Sequence, residues 1–297
     1  MNTRHFLVIC SLLLTCTTWA RAQTVTLKLA TQFDYPNVAA TMAMGINDAG
    51  DVIGYFTDEP GTGRGITGFI RYADGTFGPP VIYPGASQTV LTGINNNGTI
   101  VGFYSTETPV ATHSFFLSGD TYTLYDYPGA YDTRVVGVND AGDIVGTYVL
   151  TDNTQGAFAV VGGVLKPITI PDSTYVSPSD INNQGDIVGW YNTPDASLAF
   201  RLESDGTLRY PIIPRHSDAS LFFGTNETRA SVGASYDGSF THGLYYGGGQ
   251  LFATYDLPGT TYNNLTGINR GGWICGWGFG GSAGHSYLLR SKINPAE

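Results

Sequence analysis

Arg215-His216-Ser217-Asp218 is the stretch of this chain best equipped to move a proton. An imidazole titrates near neutrality, and a carboxylate beside it can act with it as a general acid–base pair. Asp172 and Asp132 stand at comparable corners earlier in the chain. Paired carboxylates suit glycoside hydrolysis, and the same oxygens suit a hard cation such as calcium. His216, Asp218, Asp172 and Asp132 are therefore the candidate catalytic residues. The chemistry they fit is that of a hydrolase or lyase acting on a polysaccharide or on a small ester or lactone.

The same corners carry side chains suited to holding a polar ligand. Tyr131, Arg134, Tyr175, Arg215, Tyr262 and Asn263 are the candidate binding residues, with Asn37, Ser87, Gln88 and Asn264 beside them. Aromatic rings cover the apolar faces of a sugar, while amides and carboxylates bond its hydroxyls. The expected partner is an extracellular glycan or a similar polar small molecule. Taken singly, each of these residues also reads as a solvated loop residue with turn duties.

Other constellations are weaker. His113, His242 and His285 recur at one place in three repeats. Three imidazoles can bind zinc, but equivalent positions of different repeats lie far apart unless they line an axis. Their expected role is to hydrogen-bond a neighbouring loop. Asn47-Asp48-Ala49-Gly50-Asp51 lacks the acidic series and terminal Glu of a calcium loop. There is no Gly-x-Ser-x-Gly elbow, no His-Glu-x-x-His and no phosphate loop. No cofactor is expected, and calcium has no specific motif behind it.

The elements that must position these groups are written as a repeat. Gly45-Ile46-Asn47-Asp48-Ala49-Gly50-Asp51-Val52-Ile53-Gly54 returns from Gly93, Gly137, Asp180, Gly224 and Gly267, at steps of 48, 44, 43, 44 and 43 residues between those first positions. A period of about 40–50 residues is that of propeller blades. Each repeat lays out as four short strands. The Asn-x-x-Gly segment is the turn between strands one and two, with Gly supplying a positive φ. Strand four ends in a corner such as Asp34-Tyr35-Pro36 or Asp126-Tyr127-Pro128, because proline has no N–H for the ladder. Cys275 stands in a second strand where Ile or Val stands elsewhere and reads as a buried apolar substitute.

The chain opens on a lone fourth strand, residues 24–33, and closes on a third strand near Leu289. The fold expected is all-β: a six-bladed β-propeller closed by the N-terminal strand pairing into the last blade. Such closure protects a sheet edge. Residues 23–290 form the single domain, and residues 291–297 read as a tail.

Gly-Ile-Asn-x-x-Gly-Asp-Ile-Val-Gly followed by His-x-aromatic, as in His113-Ser114-Phe115 and His285-Ser286-Tyr287, with His242-Gly243-Leu244 keeping the His alone, resembles the bacterial HAF-type extracellular repeats. Thr67, Gly156 and Leu198 depart from that pattern at the His position. The resemblance spans nearly the whole chain after residue 22. It implies export and a propeller-like fold, and carries no catalytic residues over.

Arg4, His5, the apolar run Phe6 to Leu14 and Ala20-Arg21-Ala22 read as a signal peptide over residues 1–22, leading to a secreted or periplasmic protein. An anchor at Cys16 is disfavoured by Thr15 before it. The 14 basic residues less Arg4 and Arg21 leave 12 against 24 acidic ones, a net charge of −12. Nucleic acid and anionic lipid both demand a basic footprint and are excluded as partners. No later stretch is long and apolar enough for a membrane helix. A monomer is expected.

Overall fold

The computed structural model describes residues 23–57, 65–107, 110–248, 250–281 and 283–294; the expected signal peptide, with Cys16, lies outside them. Every regular element among the described residues is a strand. First come β1 (Thr24–Phe33), β2 (Ala40–Ile46), β3 (Val52–Thr57) and β4 (Ile66–Arg71). The second repeat forms β5 (Gln88–Ile94), β6 (Ile100–Glu107), β7 (Val110–Ser118) and β8 (Thr121–Tyr125). The third forms β9 (Ala130–Val138), β10 (Ile144–Leu150), β11 (Gln155–Val161) and β12 (Val164–Ile168). The fourth forms β13 (Tyr175–Ile181), β14 (Ile187–Asn192), β15 (Ser197–Leu202) and β16 (Leu208–Ile212). The fifth forms β17 (Ala219–Thr225), β18 (Ser231–Tyr236), β19 (Thr241–Gly247) and β20 (Leu251–Tyr255). The last forms β21 (Tyr262–Ile268), β22 (Trp273–Gly280) and β23 (Ala283–Asn294).

Antiparallel ladders join consecutive strands within each repeat. Among the described residues, only single parallel bridges occur between repeats, such as Thr112 with Asp132 and Ala40 with Gly284. β1 lies antiparallel along β23, from Thr24 opposite Asn294 to Phe33 opposite Ser286. Residues 291–294, expected as tail, are thus strand, because the first residues of β1 need them as partners. The first repeat also departs from the four-strand plan. After β4 it has only isolated bridges, Gly68 with Val81 and Arg71 with Phe77. Pro79 and Pro80 lie between and cannot donate to a ladder.

The motif's spelling follows from two local demands. Each first hairpin carries a bulge, as between Ala43 and Gly45 or Leu91 and Gly93. The bulge presses a carbonyl of the first strand against the second strand, so a Cβ at Gly54 would overlap the carbonyl oxygen of Met42, and one at Gly102 that of Val90. Only glycine fits there. In the turn, Gly50 has φ 93° and its N–H donates to the Asn47 carbonyl at 3.1 Å. In the fifth repeat Arg229 takes that place at φ 61°, held by ion pairs to Asp186 and Glu203.

The core lies between sheets of neighbouring repeats. Leu91 packs with Ile53 and Val81 of the first repeat and Phe115 of its own. Cys275 is fully buried with Ala43, Phe69 and Leu288, as its apolar reading requires. Burial pushes its thiol up to about 12, so it stays protonated and inert.

Candidate functional site

Each repeat's first strand begins at a corner and ends at an Asn turn, so corners and turns occupy opposite ends of the same strands. At the turn end, corresponding residues of all six repeats line one axial cavity of about 70 Å³. Its polar groups are spent on each other. Asn95, Asn139, Asn182, Asn226 and Asn269 each donate from Nδ2 to the backbone carbonyl of the next turn Asn, at 2.9–3.2 Å. The last of these bonds runs from Asn269 to Asn47. Each Oδ1 accepts an N–H within its own turn, as from Asp51 to Asn47 at 2.9 Å. Asparagine is required because one side chain must donate outward and accept inward.

The corner end is different. Tyr131 is 41% exposed. Asp132 accepts two bonds from Arg134, at 3.1 and 3.0 Å. The Arg134 guanidinium in turn lies 5.2 Å from the centre of the Phe103 ring. Tyr175 packs on Trp190 at 5.4 Å between centroids. Tyr262, 46% exposed, stacks on Trp277 at 5.7 Å. Phe103, Trp190 and Trp277 share one place in the repeat, directly after the motif's last glycine, where Tyr55 also stands. The candidate residues chosen from sequence omit all four rings, although an aromatic in four of six repeats at one register was a readable signal.

Three expectations change. His216, with φ 64°, and Asp172, with φ 58°, are exposed residues of left-handed turns. Among the described residues the His216 side chain makes no hydrogen bond or ion pair, and Asp218 bonds through its backbone N–H to the Tyr236 carbonyl at 2.7 Å. Arg215 is likewise exposed. Asp132 is held by Arg134, and no hydrogen bond or ion pair among the described residues joins His216, Asp218, Asp172 and Asp132 to one another. Asn263 is 1% exposed and works inside its corner. Its Oδ1 accepts the Leu257 N–H at 3.0 Å. Thr41, Thr89 and Thr133 do the same for Tyr35, Tyr83 and Tyr127, so Asn263 clamps the corner and has no free face for a ligand.

The recurring histidines bond the corners. His113 Nδ1 meets Asp126 at 2.9 Å, and His285 Nδ1 meets Asp34 at 2.8 Å. His242 bonds Asp256 at 2.8 Å through Nδ1 and Asp237 at 3.1 Å through Nε2. Partial burial of His242 opposes its charge, but the bonds to Asp256 and Asp237 outweigh it and hold its pKa above the ordinary imidazole value. Backbone N–H bonds from Phe240, then the His242 bond, draw Asp237 down to about 2. No group of three or more His, Cys, Asp or Glu side chains among the described residues is placed to hold a metal ion.

No family model matches the chain, and no curated protein matches it. Solved structures do. TolB from Acinetobacter baumannii superposes with a TM-score of 0.56 at 11% identity, over 81% of this chain and 66% of that one. AofleA from Arthrobotrys oligospora gives 0.56 at 14%, over 92% and 90%. The Aleuria aurantia lectin AAL in complex with Fucalpha1-6GlcNAc gives 0.50 at 12%, over 90% and 98%. These neighbours are propeller-type proteins, and the chain shares their fold at identities that speak for architecture alone.

Proposed function

We propose that this protein is an exported six-bladed β-propeller that binds a carbohydrate at the corner end of its repeats. Six blades and a closed ring are supported by the ladders running within each repeat, by β1 along β23, and by the Asn269 to Asn47 bond across 222 residues. Export is supported by the apolar leader over residues 1–22 and by the likeness to HAF-type extracellular repeats.

One observation carries the ligand class. Tyr175, Tyr262 and Arg134, from three different repeats, each lie on an aromatic ring of a second strand. Rings held by rings are rigid, flat and apolar, and Asp132 and Arg134, at the corner of a third repeat, supply polar groups. Flat apolar walls with polar rims match a pyranose, whose C–H faces stack while its hydroxyls bond at the side. The fold is compatible with this reading, since the Aleuria lectin holds a glycan on a similar frame.

A glycan array probed with the secreted protein tests it. Binding to at least one glycan, lost when Tyr175 and Tyr262 are both replaced by Ala while the melting temperature is kept, is the expected result. Silence across the array at high micromolar protein would overturn the reading.

A further inference from the structure

Two polar atoms of the last repeat are buried without a hydrogen-bond partner: Asn264 Oδ1 and the indole Nε1 of Trp277. The two residues are directly paired across β21 and β22. Both side chains therefore leave one face of the sheet, with Cβ atoms roughly 5 Å apart. Asn264 is 2% exposed. The next pair along that face is Tyr262 with Phe279. Tyr262 stacks on Trp277, and Phe279 meets it edge-on at 5.4 Å. Tyr262, half-exposed at the start of β21, is the cluster's solvent-facing member.

A buried polar group left unpaired is costly, and folded proteins keep such groups rare. The repeat itself does not demand this pair. The corresponding positions elsewhere hold Met42 with Tyr55, Val90 with Phe103, Arg134 with Thr147, Ser177 with Trp190 and Leu221 with Ala234. Only the last repeat sets an amide against an indole. The unmet pair is complementary: Trp277 can only donate, and Asn264 Oδ1 can only accept. A carboxylate cannot donate to Asn264, and an ammonium cannot accept from Trp277. A hydroxyl does both.

We infer that Asn264 and Trp277 form a hydroxyl-recognition subsite for a pyranose ring, with Tyr262 as its wall. The inference rests on the carbohydrate reading above and names the residues that would select a sugar by its hydroxyl.

The test uses the secreted protein with ¹⁵N-labelled tryptophan indoles, titrated with the methyl pyranosides of glucose, galactose, mannose and fucose. The Trp277 indole signal should shift and saturate with at least one of them. Trp277→Phe and Asn264→Leu should each weaken that sugar about tenfold, the loss of one net hydrogen bond of about 1.4 kcal/mol. Asn264→Leu should not lower the melting temperature, because it replaces an unpaired amide with an apolar group. A fall in melting temperature with unchanged affinity would make Asn264 structural and overturn the inference. An array-positive glycan that leaves the Trp277 signal unmoved and binds Asn264→Leu within twofold would also overturn it, leaving the carbohydrate reading intact. If neither the array nor the Trp277 signal responds, both readings fall.

Discussion

His285 Nδ1 lies 2.8 Å from Asp34 Oδ2, although 251 residues separate them. The bond ties the third strand of the last repeat to the corner that opens the chain. It is the same bond that His113 makes to Asp126 and His242 to Asp256 within their own repeats. Asp34 thus serves the last repeat as Asp126 and Asp256 serve theirs.

Both partners are more than a third exposed, at 37% and 39% of their side chains, so solvent discounts the interaction. Asp34→Asn and His285→Gln should each cost about 0.5–1 kcal/mol in urea unfolding, with a coupling of about 0.5 kcal/mol in the double-mutant cycle. Additive effects within error would mean the contact does not help join the ends.

The His242 cluster should make stability depend on pH. Its folded pKa is raised above the ordinary value of about 6.5. The stabilisation is therefore fully present below about pH 6.5 and is lost as pH rises through the raised value. Asp237, drawn down to about 2, stays ionised throughout that range. The stability gap between wild type and His242→Gln should be on the order of 1 kcal/mol at pH 6 and shrink by pH 9. A gap that widens with pH would reverse the sign and refute the charged pairing.

These pairs also show what could be read in advance. The period, the turns and the second-strand glycines follow from backbone geometry, which each repeat must satisfy alone, so one copy explains the others. The His–Asp bond was legible too, by comparing repeats. Where Thr67, Gly156 and Leu198 replace the His, the corners carry Ile82, Thr169 and Ile212 instead of Asp. What a single repeat cannot reveal is contact between repeats. Asn263 looked like a ligand amide because its hydroxyl-bearing equivalents, Thr41, Thr89 and Thr133, are clamps only once strand and corner are folded together. His216 looked catalytic by composition, but in its left-handed turn it is exposed and its side chain makes no hydrogen bond or ion pair among the described residues.

Asp180 stands where Gly45, Gly93, Gly137, Gly224 and Gly267 stand in the other repeats. Its carboxylate accepts the Thr225 and Ile181 N–H groups at 2.9 Å each, beside the axial cavity. Burial nevertheless pushes it up to about 7. The folded state then holds a proton that the unfolded chain, titrating near 4, has released. Stability contributed by the protonated form is present below about pH 4 and is lost as pH rises to 7. Relative to Asp180→Gly, the wild type should lose on the order of 2 kcal/mol between pH 4 and pH 8 in denaturant titrations. A pH-independent difference would show that the two N–H bonds hold the carboxylate charged throughout.

The ring reading is most exposed to removal of β1. Val25 and Leu27 pack against the cluster of Leu257, Leu265, Tyr287 and Leu289, and Phe33 carries the Arg71 guanidinium at 4.6 Å. Deleting residues 23–33 bares that cluster and leaves β23 as a long unpaired edge, which invites pairing between chains. The deletion variant should lose its cooperative thermal transition or run as oligomers in size-exclusion chromatography. A synthetic peptide of residues 23–33 should restore a monomer, because the lost contacts are those of one strand. If the variant instead melts cooperatively as a monomer at the wild-type temperature, β1 is an ornament on the sheet and the ends are not joined through it.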